Sequence, residues 1–342
     1  MSLSIRAGRW IALVVLQLFV VLVVLEGIAR IFDPLGISYY PEMARYLDSL
    51  VLEEPIGYRN RPGLQDRFFG VPVSINSLGM RDREVQDKTA GEFRILVMGD
   101  SVPFGIGVRY EDSFPRQLET LLQERQPTVR FRTLNMGVPS YNTEQELIQL
   151  RSLGLTLKPD AALLLFSNND IEPKLWVLNK RRRWHVDLTQ RSYAGSLLFV
   201  MWRELSGRWM QDAVAAGTDT RDTSRVALHE YRLDSPRWQA IDRSLSEINA
   251  SLRAQHIPFV LFTQEESPYI LELLEGVARR ERFPIVTLHS GDPRWAVQDT
   301  RLLRNSVVDS HPSALGNGIL ATLLAENLVK LKVLPAERQA KH

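Results

Sequence analysis

Ser101 follows Gly99-Asp100 at the end of an apolar run, Ile95 to Met98 with Phe93 before them. A serine hydroxyl there acts as a nucleophile only if a neighbouring base takes its proton, and the base needs a third group to fix its tautomer. The chain offers six histidines. His342 is terminal, His256 precedes an apolar run and so faces the wrong end of a sheet, and His185 and His229 lie in an irregular stretch. His289 and His311 remain, each following the carboxyl end of a strand-like run. His311 is the stronger candidate, because Asp309 stands two residues before it and a helix begins directly after it. Carboxylate, imidazole and backbone then share one tight turn. The chemistry open to such a set is attack on an electrophilic carbonyl with general-base assistance.

The backbone must carry these residues to one place. The run before Ser101 reads as a strand covered on both faces, stopped by Gly99. Asp112 or Ser113 caps a helix to about Gln126, residues 129–134 form a strand, and Thr143-Glu144-Gln145-Glu146 reads as a capping box opening another helix. A strand over 161–166 ends in Ser167-Asn168-Asn169-Asp170. Residues 171–234 break the rhythm as an insertion, with a basic cluster Lys180-Arg181-Arg182-Arg183-Trp184 and an apolar run over 197–202 in a helix ending near Gly207. The alternation resumes with a helix from Ser235-Pro236, a strand over 258–263, a helix over 268–279, a strand over 283–288 and a last helix capped by Ser313. This predicts a five-stranded parallel sheet with helices on both faces, a flavodoxin-like three-layer α/β/α sandwich over 93–334. Such sheets bind ligands beyond the carboxyl ends of their strands, where Ser101 stands.

Residues 10–25 are apolar except for Gln17, and the run continues to Phe32 with only Glu26 and Arg30 interrupting. A helix of about 20 residues crosses a hydrocarbon core of about 30 Å, so residues 10–32 read as a transmembrane helix. Arg6 and Arg9 precede it, which places residues 1–9 in the cytoplasm and the rest of this single-pass chain on the extracytoplasmic, periplasmic side. No small-x-small cleavage site follows the run, so it reads as an uncleaved signal anchor in the cytoplasmic membrane rather than a removed signal peptide. Residues 33–92 read as an accessory segment with a small β element around 71–75, and 335–342 as a charged tail.

Of the 342 residues, 44% are hydrophobic and 24% charged, which suits a folded protein; the net charge of +2 gives no footprint for nucleic acid. The absence of cysteine excludes disulfides, thiolate metal sites and a cysteine nucleophile. There is no Gly-x-Ser-x-Gly around Ser101, no P-loop and no His-Glu-x-x-His, and Gly105-Ile106-Gly107 lacks the third glycine of a dinucleotide site. The expected mechanism needs no cofactor and no metal.

Gly99-Asp100-Ser101, Gly137 in the loop after the second strand, Asn169 after the third, and Asp309-Ser310-His311 before the last helix resemble, in order, the blocks of the SGNH family of GDSL-type hydrolases. The resemblance covers residues 94 to about 332 apart from the insertion, and is strongest to membrane-anchored bacterial members. It implies that Ser101 attacks an ester carbonyl, that His311 is the base and Asp309 orients it, and that the Ser101 and Gly137 N–H groups and the Asn169 side chain bind the oxyanion. Two positions depart from the pattern: Ser167 stands where glycine is common, and Asp309 precedes the histidine by two residues instead of three. The implied activity is a serine esterase that removes an acyl group from a small molecule, a lipid or an acylated glycan through an acyl-enzyme. Two alternatives stay open, an O-acyltransferase acting on an envelope polysaccharide with the same residues and a non-catalytic binding module of an envelope assembly machine. Each block also has a purely structural reading, Gly137 in a tight turn and Asn169, Asp170, Asp309 and Ser313 as helix caps.

Overall fold

A computed structural model describes residues 2–33, 35–181, 191–202, 230–265, 267–287, 293–296 and 301–335. It divides into two units, one of residues 1–48, 178–220 and 306–309, the other of residues 49–177, 221–305 and 310–342.

The larger unit opens with two antiparallel hairpins, β1 (Val51–Glu53) with β2 (Gly57–Arg59) and β3 (Gln65–Phe68) with β4 (Val71–Ser74). The β4 strand matches the small β element expected around 71–75. The main sheet holds β5 (Glu92–Gly99), β6 (Arg130–Asn135), β7 (Ala161–Phe166), β8 (Phe259–Thr263) and β9 (Ile285–Thr287) in the order β6-β5-β7-β8-β9, every pair parallel. Side chains alternate between two cores, as the period of a strand requires. Ile95, Val97, Leu163, Leu165, Val260 and Phe262 pack with Leu118 and Leu122 of the helix Phe114–Arg125 and Leu320 and Leu324 of the helix Ala314–Lys330. Leu96, Met98, Leu164, Phe166 and Leu261 pack on the other face with Leu147 of Thr143–Ser152, Leu245 of Pro236–Arg253 and Leu274 of Pro268–Glu281. Burial on both faces is why these strands read as unbroken apolar runs, and the architecture is the three-layer α/β/α sandwich that the alternation predicts.

Two local details differ from the sequence reading. The helix Thr143–Ser152 is capped by Asn142 instead of Thr143: Asn142 Oδ1 accepts the Gln145 N–H at 3.0 Å, and Gln145 Oε1 accepts the Asn142 N–H at 3.3 Å. Thr143 is not free to cap because its hydroxyl donates to Asp170 Oδ2 at 2.7 Å. The last strand, expected over 283–288, starts two residues later, at Ile285, and is described to Thr287, Leu288 lying outside the described residues.

In the register of the sheet Gly99 pairs with Leu165, so β5 and β7 end level. The chain leaves β5 towards β6 on one side and returns to β7 on the other, and this reversal opens a crevice at the carboxyl ends.

The smaller unit contains the helix Ser2–Phe32, the helix Tyr39–Ser49, a shorter apolar helix Tyr193–Trp202 and the loop 306–309. Gly8–Phe32 is the only helix among the described residues long and apolar enough to cross a membrane. Every side chain from Trp10 to Val24 is exposed. His185, His229, His289, His342, Arg182-Arg183-Trp184, the helix end expected near Gly207 and the tail after Pro335 lie outside the described residues.

Candidate active site

The turn after β5 depends on two glycines. Gly99 has φ +138°, and a Cβ there would lie 2.6 Å from Pro103 Cγ and 3.0 Å from the Leu165 carbonyl oxygen. Only glycine fits this conformation and this approach. Gly137, after β6, meets the same turn from the other side: a Cβ would lie 2.3 Å from the Phe104 nitrogen. The loop after β6 therefore seats directly on the backbone of the short helix Ser101–Phe104, and Asn135 joins the two through Nδ2, which donates to the Pro103 carbonyl at 2.7 Å.

Asp100, 2% exposed, caps that helix and collects donors from around the site. Its Oδ2 accepts from Ser101 Oγ at 3.2 Å and Asn169 Nδ2 at 3.0 Å, and its Oδ1 accepts from Ser167 Oγ at 3.2 Å. The carboxylate thus aligns the Ser101 turn with the loop after β7. Ser101 opens its helix, where an N–H has no intrahelical acceptor, and the Ser101 N–H makes no backbone hydrogen bond among the described residues. An amide carries two donors, and Asp100 takes one from Asn169, which leaves the second for a ligand.

A cavity of about 400 Å³ lies over these groups, lined by Asp100, Ser101, Val102, Ser167, Asn168, Asn169, Gln264, Leu303, Arg304, Ser310, His311 and Pro312. Ser101, Asn169 and His311, read from the sequence as parts of one site, are thereby brought together. Gly137 is buried behind the turn, and its N–H donates to Asn135 Oδ1 at 3.0 Å. Asp309 is buried in the loop 306–309, where its N–H donates to Ser306 Oγ at 2.9 Å and its carbonyl accepts from the Ser306 N–H at 3.1 Å. Arg304 gives the cavity a permanent positive charge.

His311 is held by backbone. The Asn305 N–H donates to the His311 carbonyl at 3.0 Å, Arg304 and Pro312 form a bridge, and the Ser313 N–H donates to the Leu303 carbonyl at 2.9 Å. Asn305 Nδ2 reaches the Ile106 carbonyl at 2.8 Å, which ties this ladder to the loop behind Ser101. Ser313 caps the last helix as expected, its Oγ accepting from the Gly316 N–H at 3.3 Å.

The accessory segment braces the same loops. Arg81, 1% exposed, donates from Nη1 to the Phe104 carbonyl at 3.0 Å and also to that of Gly105, and from Nη2 to the Val108 carbonyl at 2.7 Å. These include carbonyls that a helix end leaves without partners. Tyr58 Oη donates to the Pro139 carbonyl at 3.1 Å, beside Gly137, and burial pushes its phenol well up. At the end of the insertion, Tyr231 Oη donates to the Asn168 carbonyl at 2.7 Å. Asp100, Asn135, Arg81, Tyr231 and Asn305 are positioning residues that motif reading misses. Asp100 alone carried a signal, being inside the Gly-Asp-Ser block.

Beneath Asn169, Asp170 and Glu146 are buried carboxyl groups. Burial raises both well above the usual carboxylate range; Asp100 adds to it for both, and Asp170 adds to it for Glu146. Neither Glu146 oxygen has a hydrogen-bond partner among the described residues.

Among solved structures, the chain is similar to a lipase/acylhydrolase from Enterococcus faecalis (12% identity, TM-score 0.44, covering 72% of this chain and 100% of that one). It is similar also to an acetyl xylan esterase, AlAXEase (14%, 0.43, 69% and 100%), and to AlinE4, an SGNH-hydrolase family esterase (18%, 0.36, 73% and 100%). No protein-family profile and no curated protein matches the chain, so the roles of its residues are argued from the geometry of its own site.

Proposed function

We propose that the protein is a membrane-anchored serine esterase that removes an acyl group from a lipid or an acylated glycan. The observation that carries this reading is the meeting of Ser101, Asn169 and His311 in one cavity at the carboxyl ends of β5 and β7. The Ser101 hydroxyl rotates away from Asp100 towards His311, gives its proton to the imidazole and attacks the ester carbonyl carbon. The tetrahedral oxyanion is met by the Ser101 N–H, the second N–H of Asn169 and the Gly137 N–H, which leaves Asn135 to do so. One such donor is worth about 3 kcal/mol in the transition state. As the carbon–oxygen bond breaks, His311 protonates the departing alcohol. Water then gives a proton to His311 and attacks the acyl-enzyme, and as the bond to Oγ breaks His311 passes that proton to Ser101 Oγ, releasing the acid and restoring both residues. Asp309, two residues away along the chain, orients His311 and balances its positive charge. The 10–32 helix tethers the protein, with the arginines before it on the cytoplasmic side.

A fluorophosphonate probe tests this reading. Wild-type protein should be labelled, Ser101→Ala should not, and His311→Ala should lose activity on an aryl acetate by about a thousandfold or more. Well-folded wild-type protein that takes no label would favour the binding module, and an active His311→Ala beside an inactive His289→Ala would move the base to His289.

A further inference from the structure

The apolar helix Tyr193–Trp202 contains no charged residue, yet it exposes Leu198, Phe199, Met201 and Trp202 on its second half. Ser196 and Val200, on its opposite side, are buried, as is Ala194 in the first turn. Its N-terminus is fixed to the long N-terminal helix: Glu26 accepts from Ser192 Oγ and from the Ala194 N–H, both at 2.8 Å. The Arg30 guanidinium pairs with Glu26 at 2.8 Å and lies 4.8 Å over the Tyr193 ring. At a rise of about 1.5 Å per residue, Glu26 lies about 9 Å before the end of that helix at Phe32. A second tie comes from beyond that end, where the Tyr40 ring meets Phe199 edge to face at 5.8 Å and Phe199 packs on Trp202 at 6.4 Å.

We infer that the exposed face of Tyr193–Trp202 is seated in the lipid of the leaflet through which the N-terminal helix exits. This rests on the reading of residues 10–32 as a membrane anchor. Both ties bracket the exit point, so the helix lies at interface depth. Its exposed groups continue the apolar surface of Ile28, Ile31 and Phe32, themselves exposed. Aromatic rings such as Trp202, Tyr39 and Tyr40 suit the headgroup boundary. Glu26, a carboxylate at the end of an apolar span, gains from this helix the N–H donor that lipid does not supply. The occupant of the face is therefore the bilayer, and the 171–234 insertion is in part a second membrane contact.

The chain has no cysteine, so one introduced cysteine carries a unique nitroxide label. Full-length Val21→Cys, Leu198→Cys, Trp202→Cys and Leu233→Cys are reconstituted in vesicles of phosphatidylethanolamine and phosphatidylglycerol, and accessibility to oxygen and to a soluble nickel chelate is measured. The labels in Leu198→Cys and Trp202→Cys should show a several-fold loss of nickel accessibility relative to exposed Leu233, with oxygen accessibility kept, at depths shallower than Val21. Nickel accessibility equal to that at position 233, or protection from both reagents as a protein partner would give, overturns the inference while position 21 stays deep. A label at position 21 that nickel reaches overturns the anchor reading and this inference with it.

Discussion

Asp100 receives hydrogen bonds from Ser101, Ser167 and Asn169, the last two 67 and 69 positions away in the chain. The Gly-Asp-Ser block is legible in the sequence as a strand end followed by a candidate nucleophile. The collecting role of its aspartate is not, because it depends on β7 lying beside β5. The same holds for Glu146, which reads as part of a helix start and is found buried beside Asp170. A carboxyl whose value is raised on folding holds its proton in the folded state and loses it in the unfolded one. Its contribution therefore falls as pH climbs above the ordinary carboxylate range, by up to about 1.4 kcal/mol per pH unit until the folded value is reached. Glu146→Gln removes this titration. The difference in Tm, variant minus wild type, should thus grow as pH rises above about 5, and a difference that stays flat across thermal melts would show that Glu146 does not titrate this way.

The elements were readable where burial leaves a pattern. β5, β7 and β8 are covered on both faces and appear as apolar runs, and the helices around them carry one apolar stripe each. The helix Tyr39–Ser49 is not legible in the sequence, because Pro41 stands in its first turn and Asp33-Pro34-Leu35-Gly36 just before it reads as a breaker cluster. The ladder of residues 303–305 with 311–313 was also invisible, since its residues are neither apolar nor β-branched as a set. Asn305 connects that ladder to the Ile106 carbonyl across 199 positions. Its loss should loosen the placement of His311 relative to Ser101 and leave the two cores intact. Asn305→Ala should lower kcat on an aryl acetate by roughly tenfold, since small misplacements of catalytic groups are costly. KM and Tm should change little. A rise in KM at constant kcat would instead place Asn305 in substrate binding.

For the whole molecule, the parallel sheet and its two helical layers follow from the alternation of elements, whereas the identity of a substrate does not. The cavity walls include Gln264, Leu303 and Arg304, which come from loops that no motif marks. Orientation across the membrane rests on Arg6 and Arg9 before the apolar helix. A reporter that is active only outside the cytoplasm, fused after the last helix, should be active in cells; activity from a cytoplasm-only reporter at the same position would reverse the topology. The chain order of the site has a further consequence, for synthesis. Ser101 and Asn169 belong to the first three strands of the sheet, which pair with one another, while His311 arrives only after β8, β9 and the long stretch between Phe166 and Phe259. A ribosome releases Ser101, the proposed nucleophile, well before His311, the proposed base, and parallel strands so far apart close late. Under the proposed mechanism the nascent chain is therefore chemically silent, and activity waits until the segment before Ala314–Lys330 has docked on the finished sheet.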